Sequence, residues 1–403
     1  MLAVMTRRAN VKDLLLEGRG CVGFLDAHLE RLRRLPTHGN RILHLDQLFV
    51  ALLLTFYNPI VRSLRLIEDC GAMNGRLEVE RLAKSTTSDA LAAFDPTHLL
   101  PIISDLRQRA CGLRRADDSL YGLTQRIIAG DGTYLNTLAD VAWALRHSKR
   151  DGSKQGQVRL NVQMDVCAWT PQVLSVSGDD GSEPSAFIPD LLEGVLYVLD
   201  RNFLDFTFLE QVQQKHSDFV VRVRDNAPAT RLVRQRPLSR ADSDAGVIDD
   251  CVVTLSGRVA PAGEFRLVTI QTINRKGEPE IIRLLSSLID EQVAAWVIGE
   301  IYRLRWQIEL FFKWLKTWAG MDHLLSTTRR GITFQFYVAV IAVLLMYVQL
   351  GRRVSRYALS ALHQLMYGQI TLEQMMKVIE RREREKTMAR ARAAKRKTQK
   401  QPR

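Results

Sequence analysis

Tyr302, Arg305, Glu309 and Lys316 lie in the run Ile301-Tyr-Arg-Leu-Arg-Trp-Gln-Ile-Glu-Leu-Phe-Phe-Lys-Trp-Leu-Lys316, spaced as Tyr-x2-Arg-x3-Glu-x6-Lys. At about 100° per residue these positions fall within one narrow stripe of an α-helix, and Leu304, Ile308, Phe311, Leu315 and Trp318 cover the opposite side. One carboxylate therefore shares a face with two cations and a phenol. A carboxylate can hold a divalent cation, and Arg and Lys can grip phosphate oxygens, so the stripe suits a protein that works on a nucleic-acid backbone. The competing reading is a solvated i, i+4 ladder of Arg305, Glu309 and Lys313. Glu300 lies roughly 170° from the stripe centre and is the weaker carboxylate.

Phosphodiester chemistry needs partners for Glu309. Ile127-Ile128-Ala129-Gly130-Asp131 is an apolar run ending in a carboxylate, and Gly194-Val-Leu-Tyr-Val-Leu-Asp200 is a second. A lone Asp at a strand end is more often a turn former. Two such Asp residues and a Glu on a later helix are the minimum for holding two hard cations about 3.5–4 Å apart, as in-line attack on a phosphodiester requires. One cation would lower the pKa of the attacking water or hydroxyl, and the other would neutralise the leaving oxygen.

The elements that must position these residues read as α/β. Residues 1–118 are expected to be helical: Asp46 to Tyr57 is strongly apolar, Asn58-Pro59 caps a helix running from Pro59 to Cys70, and Gly71 stops it. Ser85 to Ser88 offers N-caps for a short helix Asp89 to Phe94, and Asp95-Pro96 starts another toward Arg109. After Asp117-Asp118 come strands at Gln157 to Val166, Gln172 to Val176 and Asp218 to Val223, with a helix from about Phe203 to Gln214. Residues 119–224 thus form the first part of a core. Residues 225–289 read as an inserted antiparallel domain with strands Val247 to Leu255, Phe265 to Ile273 and Glu280 to Leu288. Residues 290–352 complete the core, opening with a helix from about Asp290 to Trp318. Residues 353–403 give a charged helix and a basic tail expected to be disordered without a partner.

Composition bounds the class. With 403 residues and 46% apolar content the chain can bury a sizeable core. Its net charge of +13 favours a polyanionic partner, and 12 Lys or Arg against 3 Glu between Lys377 and Arg403 supply most of it. Cys21, Cys70, Cys111, Cys167 and Cys251 are widely spaced without a Cys-x2-Cys pair, which points to a reducing, cytoplasmic compartment and away from structural zinc. The apolar opening Met1 to Met5, followed by Arg7 and Arg8, is too short for a signal-peptide core. The uncharged stretch from Gly331 to Gly351 is long enough to span a bilayer, but Arg pairs on both flanks favour the central helix of a large core.

On Asp131-Gly132-Thr133, Asp200-Arg201-Asn202-Phe203 and the Tyr302, Arg305, Glu309, Lys316 signature, the sequence resembles a bacterial insertion-sequence DDE transposase of the insertion sequence four family. The resemblance covers about Gly130 to Lys316. It implies a ribonuclease-H-like catalytic core, a mixed sheet with flanking helices, that uses Mg²⁺, with Mn²⁺ as a substitute, to cut and join DNA. Asp131, Asp200 and Glu309 would be the catalytic metal ligands, and Tyr302, Arg305, Lys316 and Arg201 would contact DNA. The implied partners are double-stranded DNA at terminal inverted repeats, target DNA and a second copy of the chain in a synaptic complex, with residues 1–118 recognising the DNA end. There are two departures. The family often has Gly where Asn202 stands, a residue that also tolerates positive φ. Some relatives carry a base-stacking Trp on the last inserted strand, where this chain reads Glu280-Ile281-Ile282-Arg283-Leu284-Leu285.

His147 and His216 lack metal-ligand spacing, Arg222 and Arg224 suit either DNA or solvent, and Trp296 and Trp306 are expected in the core. Two readings compete with a transposase. One is a catalytically inactive derivative or repressor that only binds element ends, which the three carboxylates argue against. The other is a different ribonuclease-H-like nuclease, which would leave Tyr302, Arg305 and Lys316 without a reason.

Overall fold

The computed structural model describes residues 25–36, 43–57, 63–70, 82–111, 123–137 without 124, 141–148 without 142, 154–178, 181–224, 230–274 without 258, 277–351 without 319 and 322, 356–366 and 369–399. Met1 to Arg8, Cys21, the Asn58-Pro59 cap, Gly71, Asp117-Asp118 and the end of the tail lie outside them. The chain divides into two units, Met1–Leu113 with Trp314–Arg403, and Arg114–Lys313.

The second unit is built on one mixed sheet. Its strands are β1 (Ile127–Thr137), β2 (Leu145–Ser148), β3 (Lys154–Asp165), β4 (Thr170–Ser177), β5 (Leu196–Leu199), β6 (Asp218–Arg222), β7 (Thr230–Gln235), β8 (Val247–Leu255), β9 (Phe265–Ile273) and β10 (Pro279–Ser286). They run in the order β2-β3-β1-β5-β6-β10-β9-β8-β7, with β4 also on β3. β3 pairs antiparallel with β1 and β4, whereas β5 is parallel to both β1 and β6. The architecture is α/β, a mixed sheet flanked by helices, as the resemblance implies.

Strand alternation assigns the two faces. On one face Ile128, Tyr197, Leu199, Phe219 and Val221 pack under Phe208, Leu209 and Val212 of the helix Phe206–Gln214. Phe187, Phe203 and Phe208 stack edge-on or tilted there, at 5.1 and 5.4 Å between ring centres. On the other face lie the helices Ala295–Leu304, which buries Ala295, Ile298 and Ile301, and Trp306–Lys313, which buries Ile308, Phe311 and Phe312. Phe311 meets buried Trp169 edge-on at 5.7 Å.

The β-rich block is antiparallel as expected, and it continues the core sheet through β10 on β6. It also fixes the start of the helix Ala295–Leu304. Arg266 and Asp250, 1% and 3% exposed, form a two-pronged pair at 2.9 and 2.8 Å, and Arg266 Nη1 donates to the Val293 carbonyl at 2.6 Å. Asp242, itself in a capping box with Ser239, accepts the Trp296 N–H at 2.8 Å. The helix has no cap of its own, so this distant carboxylate satisfies one of its unpaired first-turn amides.

In the first unit the apolar helix Arg329–Leu350 packs against Leu45–Tyr57, Lys84–Ala93, Pro96–Leu99 and Leu100–Cys111. Thr328 caps its start and Gly351, at φ 62°, ends it. It is long and apolar enough to cross a membrane, and 89% of its apolar window is buried in the fold. Tyr57 donates to the Ala342 carbonyl at 3.0 Å.

Four expectations change. Ser85 to Ser88 lie inside the helix Lys84–Ala93 instead of capping one, and Thr87 returns its hydroxyl to the Ala83 carbonyl. The helix expected from Asp290 to Trp318 starts at Ala295, tightens at Arg305 and ends in a π turn, Trp314–Trp318. The C-terminal helix Leu372–Gln399, whose Glu380–Arg384 and Arg382–Glu385 pairs precede the basic tail, continues through that tail to Gln399, a stretch with neither Gly nor Pro, where disorder was expected. Asn202 has no positive φ; it sits in the 3-10 turn Arg201–Phe203.

The Arg266–Asp250 pair yields a test. Arg266→Ala leaves a buried carboxylate without its main partner and should destabilise the protein by about 3–5 kcal/mol in urea unfolding, whereas Arg266→Met with Asp250→Leu should cost much less. Equal losses in the two variants would show that packing, not charge, holds this joint.

Candidate active site

Asp131 is not at a strand end. β1 runs on to Thr137 because β3 keeps pairing with it, Asp131 opposite Val162. The parallel ladder with β5 stops at Ala129 and Val198, so Asp131 stands just where the two strands part. Asp200 follows β5 directly, and its Oδ1 accepts the Asn202 N–H at 2.8 Å, capping the turn Arg201–Phe203. Buried Phe203 pins that turn to the core, and Arg224 donates to the Arg201 carbonyl at 2.8 Å. Arg224 thus secures the Asp200 loop, and Arg222 is paired with Glu280 at 2.7 Å.

Glu309 reaches Asp131 through Arg305. One guanidinium nitrogen of Arg305 donates to Glu309 Oε1, and the other lies 3.9 Å from Asp131 Oδ2. Arg305 is only 16% exposed, so this is not a solvated ladder, although the i, i+4 pair exists. Its guanidinium also sits over the Tyr302 ring, 5.8 Å from the centre. Burial works against its charge, but Tyr302, Glu309 and Asp131 more than offset this and hold it protonated more firmly than usual. Lys316 falls in the π turn that belongs to the other unit, and Arg201 exposes its side chain. Glu300 pairs with Arg303.

A carboxylate that the sequence did not flag joins the cluster. Glu183 opens the short helix Glu183–Phe187 beside Gly132; a Cβ on Gly132 would come within 2.5 Å of its Oε1. Burial first, then the charge of Glu183, pushes the Asp131 carboxyl up to about 7, with Arg305 opposing and Asp200 adding. Burial and Asp200 likewise raise Glu183, against the pull of Arg159. No motif spacing links Glu183 to Asp131. The only signal was Gly132 itself, a glycine inside a strand, which marks a close approach.

Trp306 is 42% exposed, contrary to expectation. With Trp296, Tyr302 and Arg305 it lines a cavity of about 530 Å³ between the helices and β8–β10.

The donor set suits a hard cation in kind: all-oxygen carboxylates in a partly dry setting, a buried Glu183 Oε1 without a hydrogen bond, and the Arg305 guanidinium as the positive charge now among them. Among the described residues no three acidic, His or Cys side chains already stand at metal-ligand spacing.

A family model described as transposase DDE domain matches residues 122–345. The chain is 25% identical over 219 residues to a protein named as transposase y4zB from Sinorhizobium fredii, covering 53% of the chain and 59% of that protein. It is 28% identical over 170 residues to one named as transposase for insertion sequence element IS4SA from Synechocystis, covering 42% and 45%. A third, named for insertion sequence element IS5377 of Geobacillus stearothermophilus, is 26% identical over 212 residues, 51% of each chain. The matched part thus spans about half the length of these curated relatives. The piggyBac transposase synaptic complex with hairpin DNA, solved by cryo-EM, aligns over 89% of this chain and 78% of its own at 12% identity and a TM-score of 0.38.

The raised Asp131 pKa has a signed consequence. A carboxyl with a folded-state pKa near 7 ionises at a cost, so metal-free stability falls as pH rises from about 4 through 7. Asp131→Asn should therefore stabilise the protein in EDTA at pH 8 by on the order of 2–4 kcal/mol and much less at pH 5. Urea unfolding at both pH values checks this, and an equal effect at both would contradict it.

Proposed function

This chain belongs to the transposase DDE domain family, and we propose that it cuts and joins DNA at the ends of an insertion sequence by metal-dependent phosphodiester hydrolysis and strand transfer. What supports the proposal most is that Asp200 lies near enough to Asp131, at the parting of β1 and β5, to raise its carboxyl, while Glu309 is linked to Asp131 through the Arg305 guanidinium.

In this reading Asp131, Asp200 and Glu309 hold divalent cations, Mg²⁺ by preference with Mn²⁺ as a substitute. Cations bound there supply charge that activates the attacking oxygen and offsets the leaving one. The protein's own part is positional. The Asn202 amide fixes Asp200, and the Gly132 amide, 2.8 Å from Asp131 Oδ1, fixes Asp131. Arg305 ties Glu309 to Asp131, and a cation held by these carboxylates, or a DNA phosphate, would compete for the same charges. Tyr302, Arg305, Lys316 and Arg201 grip the phosphates of the element end. The partners are double-stranded DNA at terminal inverted repeats, target DNA, and a second copy of this chain in the paired-end complex. Residues 1–118 serve end recognition in this scheme.

The test is incubation of the purified chain with a labelled duplex carrying the inverted repeat that flanks its gene, with and without Mg²⁺ or Mn²⁺. Metal-dependent nicking that exposes a 3′-hydroxyl at the element boundary is expected. Asp131→Ala, Asp200→Ala and Glu309→Ala should each abolish it while end binding persists. Normal cutting by all three variants would leave only an end-binding protein.

Arg305→Ala should cost about 1.5–3 kcal/mol in end binding or in transition-state positioning, against under about 1 kcal/mol for an exposed salt bridge. Deleting Lys386 to Arg403, with 8 cations and no acid, should flatten the dependence of log K on log salt by up to about 0.9 per lost phosphate contact. An unchanged slope would make the tail a spacer.

A further inference from the structure

Asp131 is approached from both faces of the sheet. Its own side chain points to the face that carries Arg305 and Glu309, as the Arg305 contact requires. Its neighbours Gly130 and Gly132 face the other way, with Arg159, Asn161 and Gln163 of β3 across the ladder. On that side Arg159 is 2% exposed and is held by Asn161 Oδ1 at 3.0 Å, Ser177 Oγ at 3.2 Å and the Ser182 carbonyl at 3.2 Å. Ser182 also caps the turn that presents Glu183. The missing side chain at Gly132 leaves a gap, bounded by the Arg159 stem and by Glu183 Oε1, and through it the Glu183 carboxylate lies against the strand beside Asp131.

Arg159 and hydrogen bonds from Gly132 and Asn202 offset part of the cost of bringing the Glu183 carboxylate beside Asp131 and Asp200, yet its Oε1, buried at the Gly132 gap, accepts no hydrogen bond and remains open to a cation. Resting on the metal-dependent reading above, we propose that Glu183 is a fourth carboxylate of the site and helps to hold the divalent cation with Asp131 and Asp200. Arg159 then acts as the positioning residue that keeps the Glu183 turn in place, and Gly132 is needed for access.

The discriminating experiment measures Mn²⁺ alone binding to the full-length chain by calorimetry, without DNA. Glu183→Gln should weaken Mn²⁺ by about tenfold or more and shift the Mn²⁺ concentration that supports end cleavage upward by a similar factor, with an unchanged or higher metal-free melting temperature. Glu183→Asp keeps a negative charge facing Arg159 but withdraws it by one methylene, so it should fold even if the Gln variant does not, and it should also bind Mn²⁺ more weakly. Wild-type Mn²⁺ affinity in whichever of these variants folds, alongside weakened binding in Asp131→Asn, would overturn the proposal and leave Glu183 as a structural partner of Arg159. Wild-type affinity in Asp131→Asn as well would overturn the metal-dependent reading itself, and this inference with it.

Discussion

Carboxylates crowded into a partly dry site repel one another, and this constraint orders the rest of the molecule. Glu183 and Asp200 raise the cost of ionising Asp131, and Asp200 raises that of Glu183; the charges that relieve them are the guanidinium of Arg305 at Asp131 and that of Arg159 at Glu183. Arg305 can do this because it sits where the helix tightens between Leu304 and Trp306, reaching Glu309 on one side and Asp131 on the other. Arg305, which touches both Asp131 and Glu309, is the charge in this arrangement that a cation would replace.

Holding such a group together needs rigid supports, and they come from separate parts of the sheet. β3 carries β1 past the last residue paired with β5, which keeps Asp131 inside a strand, half-buried at the parting, instead of in a turn. Phe203 and Arg224 pin the loop after Asp200. The β-rich block, which looks in sequence like an interruption, anchors the helix start through Arg266 on Val293 and Asp242 on Trp296. It therefore sets the angle at which Arg305 and Glu309 meet the strands.

What was legible in the sequence was what depends on local pattern. β8 and β9 were read to the residue, because alternating residues bounded by glycines leave little freedom of register. The motif carboxylates were legible because charge at fixed spacing or after an apolar run is rare. Asp131 was misread as a strand end because hydrophobicity falls there, yet the pairing that prolongs β1 comes from β3. The uniform stripe failed at Arg305 and at the π turn, since a 100° step presumes one unbroken helix. Glu183 was invisible: it arrives from the opposite face, 52 positions from Asp131 in sequence, and only a glycine hinted at the approach.

The central claim is that these carboxylates form a cation site which Arg305 guards in the metal-free fold. Anomalous diffraction from crystals of the protein grown with Mn²⁺ and an element-end duplex addresses it most directly. The account predicts Mn²⁺ density in contact with Asp131 and Asp200, with Arg305 withdrawn from Asp131. Density elsewhere, or none, with Arg305 still lying between Asp131 and Glu309, would contradict it.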